Sequence, residues 1–243
     1  MADEKTGLDN DFKIIIIILA VIVISILLII LSCGVSGYLM YKPAMSSFYY
    51  SQGVSYKAKG WIYKSKSALN KAIKIDPDGE MGKKAALFLK IRLPKSDNIK
   101  QEAIQKNIYG YNLDVQKNYK EAIVQFEEAI EISPDFEWPY SNMARTYTTL
   151  KEYDKAIPLF EKAIDLNPDY VNAYLNLGYL YWKRGYEYQK SAEYDLALID
   201  YENALDKYSK GLSLNPDDSG IQEDVMEIKE NICYIKNKSL KRN

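Results

Sequence analysis

The sequence predicts an all-α protein in which an apolar helix near the N-terminus precedes a stack of helix-turn-helix repeats. Three observations carry this prediction. Pro134 and Pro168 stand 34 residues apart, each behind the same ladder of small and aromatic residues. A polar residue, Pro and then Asp recur at Asp76-Pro77-Asp78, Ser133-Pro134-Asp135, Asn167-Pro168-Asp169 and Asn215-Pro216-Asp217. Residues 14–41 contain no charged side chain, and Lys13 and Lys42 bracket them.

Residues 1–13 form a polar tail carrying Asp3, Glu4, Asp9 and Asp11. Residues 14–41 read as a transmembrane helix, since 28 residues at about 1.5 Å each exceed the ~30 Å hydrocarbon core. Ile30-Leu31-Ser32-Cys33 supplies an alternative, a signal whose cysteine is acylated, which makes Cys33 a candidate lipidation site. Leu31 is large for that motif, and the leading residues are acidic where a signal is basic. Lys42, Lys57 and Lys59 follow the segment against Lys5 and Lys13 before it, a margin of one that favours a cytoplasmic repeat domain.

The repeats are read back from each proline. Ahead of Pro168 come Ala163, Phe160, Ala156, Tyr147, Ala144, Met143 and Tyr140; ahead of Pro134 come Ala129, Phe126, Ala122, Leu113, Gly110 and Tyr109. This order and spacing resemble the tetratricopeptide repeat, which implies a right-handed α-solenoid of helical hairpins. Small residues let the two helices of a hairpin approach, and the aromatics fill the gap to the next one. Proline suits a helix end, and the Asp after it suits the positive end of the next helix dipole.

The four prolines are separated by 57, 34 and 48 residues. Residues 137–170 are a standard repeat. Aligning Lys151–Ala156 with Ala192–Ala197 places seven extra residues in each helix of repeat 171–218, about two turns apiece. Residues 46–79 are a weaker copy, with Gly53, Tyr56, Gly60, Leu69 and Ala72 before Pro77. Residues 80–134 hold an irregular helix over 80–92, a break at Pro94, and a further repeat. Residues 219–243 are a capping helix and tail, with Ile221, Val225, Ile228 and Ile232 at helical spacing.

Composition narrows the function. The chain has no histidine, so the commonest general base and metal ligand are missing. Cys33 and Cys233 form no metal or redox motif, and Gly82-Lys83 is followed by Lys84 rather than the Ser or Thr of a phosphate loop. A non-enzymatic protein without cofactor or metal is expected. Residues 42–118 carry 15 Lys/Arg against 6 Asp/Glu, whereas residues 119–243 carry 15 against 23. The basic stretch from Lys42 to Lys74 suits anionic lipid. Its interleaved aromatics fall on repeat positions, so nucleic acid is not an expected partner.

The expected function is that of a membrane-anchored adaptor or scaffold binding partner proteins or peptide segments; a secretion or cell-envelope lipoprotein acylated at Cys33 is the alternative. The resemblance implies that the first helix of each hairpin lines a concave groove. The candidates there are Trp138, Asn142, Arg145 and Thr149, then Asn172, Asn176, Tyr179 and Lys183. The two-lysine clamp of chaperone-tail binders is not reproduced, because Asn107 and Asn172 stand where lysines are expected. Trp182 and Tyr186 join the candidates as a docking ridge, since aromatics crowd the lengthened helix beyond the needs of a hairpin seam.

Overall fold

A computed structural model of the chain describes residues 42–240, and every regular element among them is helical. Helix α1 is described over residues 42–58. It is followed by α2 (Ile62–Ile75), α3 (Glu80–Arg92), α4 (Gln101–Val115), α5 (Tyr119–Ile132), α6 (Glu137–Thr149) and α7 (Tyr153–Leu166). The chain continues through α8 (Val171–Lys190), α9 (Tyr194–Leu214) and α10 (Ser219–Leu240).

The apolar segment 14–41 and Cys33 lie outside the described residues. The single-pass membrane location expected from the sequence is corrected, because among the described residues no helix is long and apolar enough to cross a membrane. Helix α8, with 20 residues, has the length. It also carries Lys183, Arg184, Glu187 and Lys190, whose charges oppose insertion.

Each hairpin closes on a small residue facing a large one. A Cβ added to Gly110 would stand 2.8 Å from Phe126, and one added to Gly178 would stand 2.6 Å from Tyr208. Ala144 and Phe160 occupy the same places between them, both fully buried in one cluster. Gly53 and Leu69 do so in the first hairpin, where an added Cβ would meet Leu69 at 2.6 Å. The spacing of small and large residues is therefore what sets how closely the helices of each pair approach.

The turns within hairpins share one conformation. Lys117, Lys151 and Ala192 have φ of 66°, 62° and 59°, and Gly60 has 70°. This left-handed residue ends one helix and turns the chain into the next. At the joints, Asp76, Ser133, Asn167 and Asn215 each donate a backbone N–H to the carbonyl four residues back. The proline that follows has no N–H to continue the ladder.

Helices α8 and α9, with 20 and 21 residues, are each seven longer than α6 and α7, with 13 and 14. The added turns carry their own packing. Gly185 faces Asp200 and Tyr201 at 3.2 and 3.3 Å from its would-be Cβ. Tyr201 is fully buried and donates to Gln189 Oε1 at 2.7 Å. Arg184 grips Asp200 through two bonds of 2.7 and 2.8 Å. Helix α10 covers α9 with Ile221, Val225, Ile228 and Ile235, so the last hairpin does not expose its apolar face.

The irregular interval reroutes the first hairpin. Helix α3 packs on α2 and starts tightly, since a Cβ on Gly82 would run into the Asp76 carbonyl. Leu93 and Ile99, in the connection after it, are buried with Ala129 and Phe136 at the α5–α6 joint. The end of α3 reaches the fourth hairpin, where Ile91 shares a core cluster with Val171. Lys90 and Lys95 approach Asp169 at 3.4 and 3.6 Å. A plain linear stack has no such contact, because neighbours alone touch in a regular solenoid.

Candidate functional site

The consequence is a cavity of about 650 Å³ facing α4, α6 and α8 and closed on its far side by the turn of the first hairpin and the end of α3. Lys57, Gly60 and Arg92 come from the covering side; Asn107, Tyr111, Trp138, Asn142, Arg145, Tyr170, Asn172 and Asn176 come from the stacked helices. The 34-residue period explains part of this set. Tyr111, Arg145 and Tyr179 are successive equivalents, as are Ile108, Asn142 and Asn176.

Internal bonds stiffen the floor. Asn142 Nδ2 donates to Asn107 Oδ1 at 2.8 Å, linking α6 to α4. Arg145 pairs with Asp114 at 2.8 Å and lies over the Tyr111 ring, 4.8 Å from its centroid. Asp114 also accepts from Thr146 Oγ1 at 2.6 Å, so its charge is committed. Arg145 Nε and Trp138 Nε1 are buried donors with no hydrogen-bond partner among the described residues. Unsatisfied buried donors are costly, and these two belong to side chains that line the cavity.

The covering side is cationic. Arg92 donates to Asn172 Oδ1 at 3.3 Å. Lys57 holds its ammonium 5.3 Å from the Trp138 ring centroid. Burial, and then the neighbouring Arg92 charge, hold the Lys57 amine below its ordinary range. That direction is the one expected of a lysine drawn out of water beside another cation.

Beneath this wall lies Glu137, fully buried at the start of α6. Its Oε1 accepts from the Lys95 backbone N–H at 2.9 Å and from Asn167 Nδ2 at 2.6 Å. Its Oε2 has no hydrogen-bond partner among the described residues. Burial raises the Glu137 carboxyl above the usual range, against the lowering effect of its hydrogen bonds. Glu137 thus ties the connection after α3 to the joint before α8.

Five of the expected groove residues, Trp138, Asn142, Arg145, Asn172 and Asn176, are brought together in this cavity. Tyr179 and Trp182 line a second, smaller one. Thr149 and Lys183 line neither. Thr149 Oγ1 donates back to the Arg145 carbonyl at 3.2 Å, and Lys183 Nζ reaches the Thr148 carbonyl at 3.4 Å. Tyr186 is exposed and stacks on Trp182 with centroids 5.8 Å apart at 4°. Lys57, Arg92 and Tyr170 were not among the sequence candidates. Tyr111 was within reach of the period, whereas Arg92 comes from the irregular interval and Lys57 from the first hairpin, which that interval turns back.

Several lysines of the 42–74 stretch are engaged on the first hairpin. Lys59 and Lys64 stand 5.3 and 4.4 Å from the Trp61 ring centroid, and Lys66 pairs with Asp97. Among the described residues no group of three or more His, Cys, Asp or Glu side chains is placed to hold a metal ion.

Stacked helical hairpins around an open polar cavity define a helical-repeat scaffold. The chain belongs to the tetratricopeptide-repeat family: sequence profiles of that repeat match residues 46–78, 108–136 and 144–185. No curated protein matches the chain. Among solved structures it is similar to the first such domain of human RPAP3, at 23% identity over 56% of this chain and 96% of that one, with a TM-score of 0.47. The Sgt2 domain from Aspergillus fumigatus is 22% identical over 59% and 87%, with a TM-score of 0.48. The TPR2B domain of yeast Sti1, in a structure described as a complex with pHsp70, is 22% identical over 57% and 99%, with a TM-score of 0.42.

Proposed function

We propose that this protein is a protein-interaction module whose cavity takes an extended acidic segment of a partner polypeptide. The observation that carries the reading is the pair Lys57 and Arg92: two cations side by side in the cavity wall, with burial and Arg92 both disfavouring the Lys57 charge. A carboxylate placed between them relieves that repulsion in a site of low dielectric, where opposite charges attract strongly. Asn176 supplies an amide that both donates and accepts, as an extended backbone requires. The Trp138 ring and the Tyr111 ring offer apolar surface between the polar groups.

The test uses the full chain and fluorescein-labelled peptides with Asp or Glu at randomised central positions, against pools with Asn and Gln there instead. Anisotropy should show binding of the acidic pool, weakened roughly tenfold by Arg92→Gln and again by Lys57→Gln, with each loss worth about 1.4 kcal/mol. Equal binding of the neutral pool, or an acidic affinity indifferent to both substitutions, refutes the reading.

A further inference from the structure

A second cavity, of about 180 Å³, opens where α8, α9 and α10 meet, and it shares no lining residue with the first. Tyr179 and Trp182 form one wall from α8, Asp224 and Glu227 the other from α10, and Tyr208 and Ile228 complete the lining. The rings are held in place. Tyr179 stacks on Trp182 at 5.9 Å and 22°, and Trp182 on Tyr186 at 5.8 Å and 4°. Gly178 allows Tyr208 to come this close to α8, since a Cβ there would meet its ring at 2.6 Å.

We infer that this cavity is a binding site for a basic side chain, lysine or arginine, presented by a partner polypeptide. Aromatic rings attract cations through the negative quadrupole of a free face; Tyr179 and Tyr208 line the cavity, while the Trp182 faces are engaged by Tyr179 and Tyr186 and hold that stack in place. The two carboxylates opposite supply the full charges. Burial raises the Asp224 carboxyl, and the negative charges of Glu227, Glu223 and Asp218 raise it further. Lys207 pairs with Asp206, Lys236 pairs with Glu202, and Lys190 lies over the Tyr186 ring.

Tyr208 points the same way. It is only 7% exposed and lines the cavity. A ligand ammonium or guanidinium donates to its hydroxyl as well as to the carboxylates. The volume is about six times the share of one water in the liquid, enough for either cationic head with its last methylenes. This assignment goes beyond the acidic-segment reading and stands without it, because the lining residues are different.

The test follows the indole N–H signals of the three tryptophans, Trp61, Trp138 and Trp182, by NMR on the full chain. Trp61→Phe and Trp138→Phe variants assign them. The probes are n-butylammonium and ethylguanidinium chloride, with n-butanol at matched ionic strength as the neutral control. A saturable shift confined to Trp182 with either cation, weakened roughly tenfold in Asp224→Asn/Glu227→Gln, supports the site. A response only to ethylguanidinium assigns arginine, and one only to n-butylammonium assigns lysine. No saturable shift, an equal response to n-butanol, or unchanged affinity in the double variant overturns it. Both substituted residues lie at the surface of α10, so the thermal transition of the variant checks that it is folded.

Discussion

Replacing Asp200 by Asn should cost about 2–3 kcal/mol, a large loss for one oxygen-to-nitrogen exchange. Asp200 lies on α9 with its side chain 3% exposed, and Arg184 on α8 holds both its oxygens with a side chain 22% exposed. Two unit charges about 4 Å apart attract by roughly 4 kcal/mol at an effective dielectric constant of 20. Breaking a buried pair from one side costs about 3–5 kcal/mol, and the partial exposure of Arg184 discounts the figure to the lower value given. The bond from Asp200 raises the Arg184 guanidinium above its ordinary range, the direction expected of a cation stabilised by its partner. For a domain of this size the loss lowers Tm by about 5–10 °C. Because repeats unfold in units, amide exchange in α9 should accelerate more than in α5 or α7. Replacing both residues by apolar ones, Arg184→Met with Asp200→Leu, should recover most of the loss, since it leaves no charge unpaired. A Tm change below about 2 °C for Asp200→Asn, or a double variant no better than the single one, refutes the reasoning.

Ala192→Gly should stabilise by about 0.5 kcal/mol, because Ala192 sits at φ of 59°, where a Cβ costs about 1–2 kcal/mol and glycine's added unfolded-state entropy returns part of that; urea denaturation measures it. Glu137→Gln should flatten the stability curve against pH. The folded carboxyl is raised by burial, so its contribution is fully present below the unfolded value and is lost as pH rises through the folded one. The variant should therefore gain on the wild type progressively as pH rises above about 4.5, and a constant offset between the two curves would count against a desolvated carboxyl. Phe160→Ala should cost about 3–5 kcal/mol by opening a cavity between neighbouring hairpins, read by chemical denaturation.

Much of this architecture is written locally. The Gly110, Ala144 and Gly178 series faces Phe126, Phe160 and Tyr208 because each pair belongs to one hairpin, and sequence spacing sets where they meet. The seven residues added to each arm of the fourth hairpin are legible for the same reason, as is the covering role of α10. Site candidates on α6 and α8 follow the period, and five of them do share a cavity. Their further fate depends on competition for partners: Lys183 and Thr149 are occupied by carbonyls of α6, which a spacing argument cannot weigh.

The amino-acid order was enough to establish helical hairpins, their joints, their small-to-large contacts and the length of the last one, since all of these arise between residues close in the chain. Tertiary structure alone decided that the first hairpin turns back to face α6 and α8. That depends on contacts such as Arg92 with Asn172, 80 residues apart, and on the burial of Leu93 and Ile99 at a distant joint. Such contacts are chosen by the total apolar surface and polar pairing they satisfy at once, which no window of sequence contains. The cation cage has the same origin, because its carboxylates and its rings meet only when α10 settles on α9.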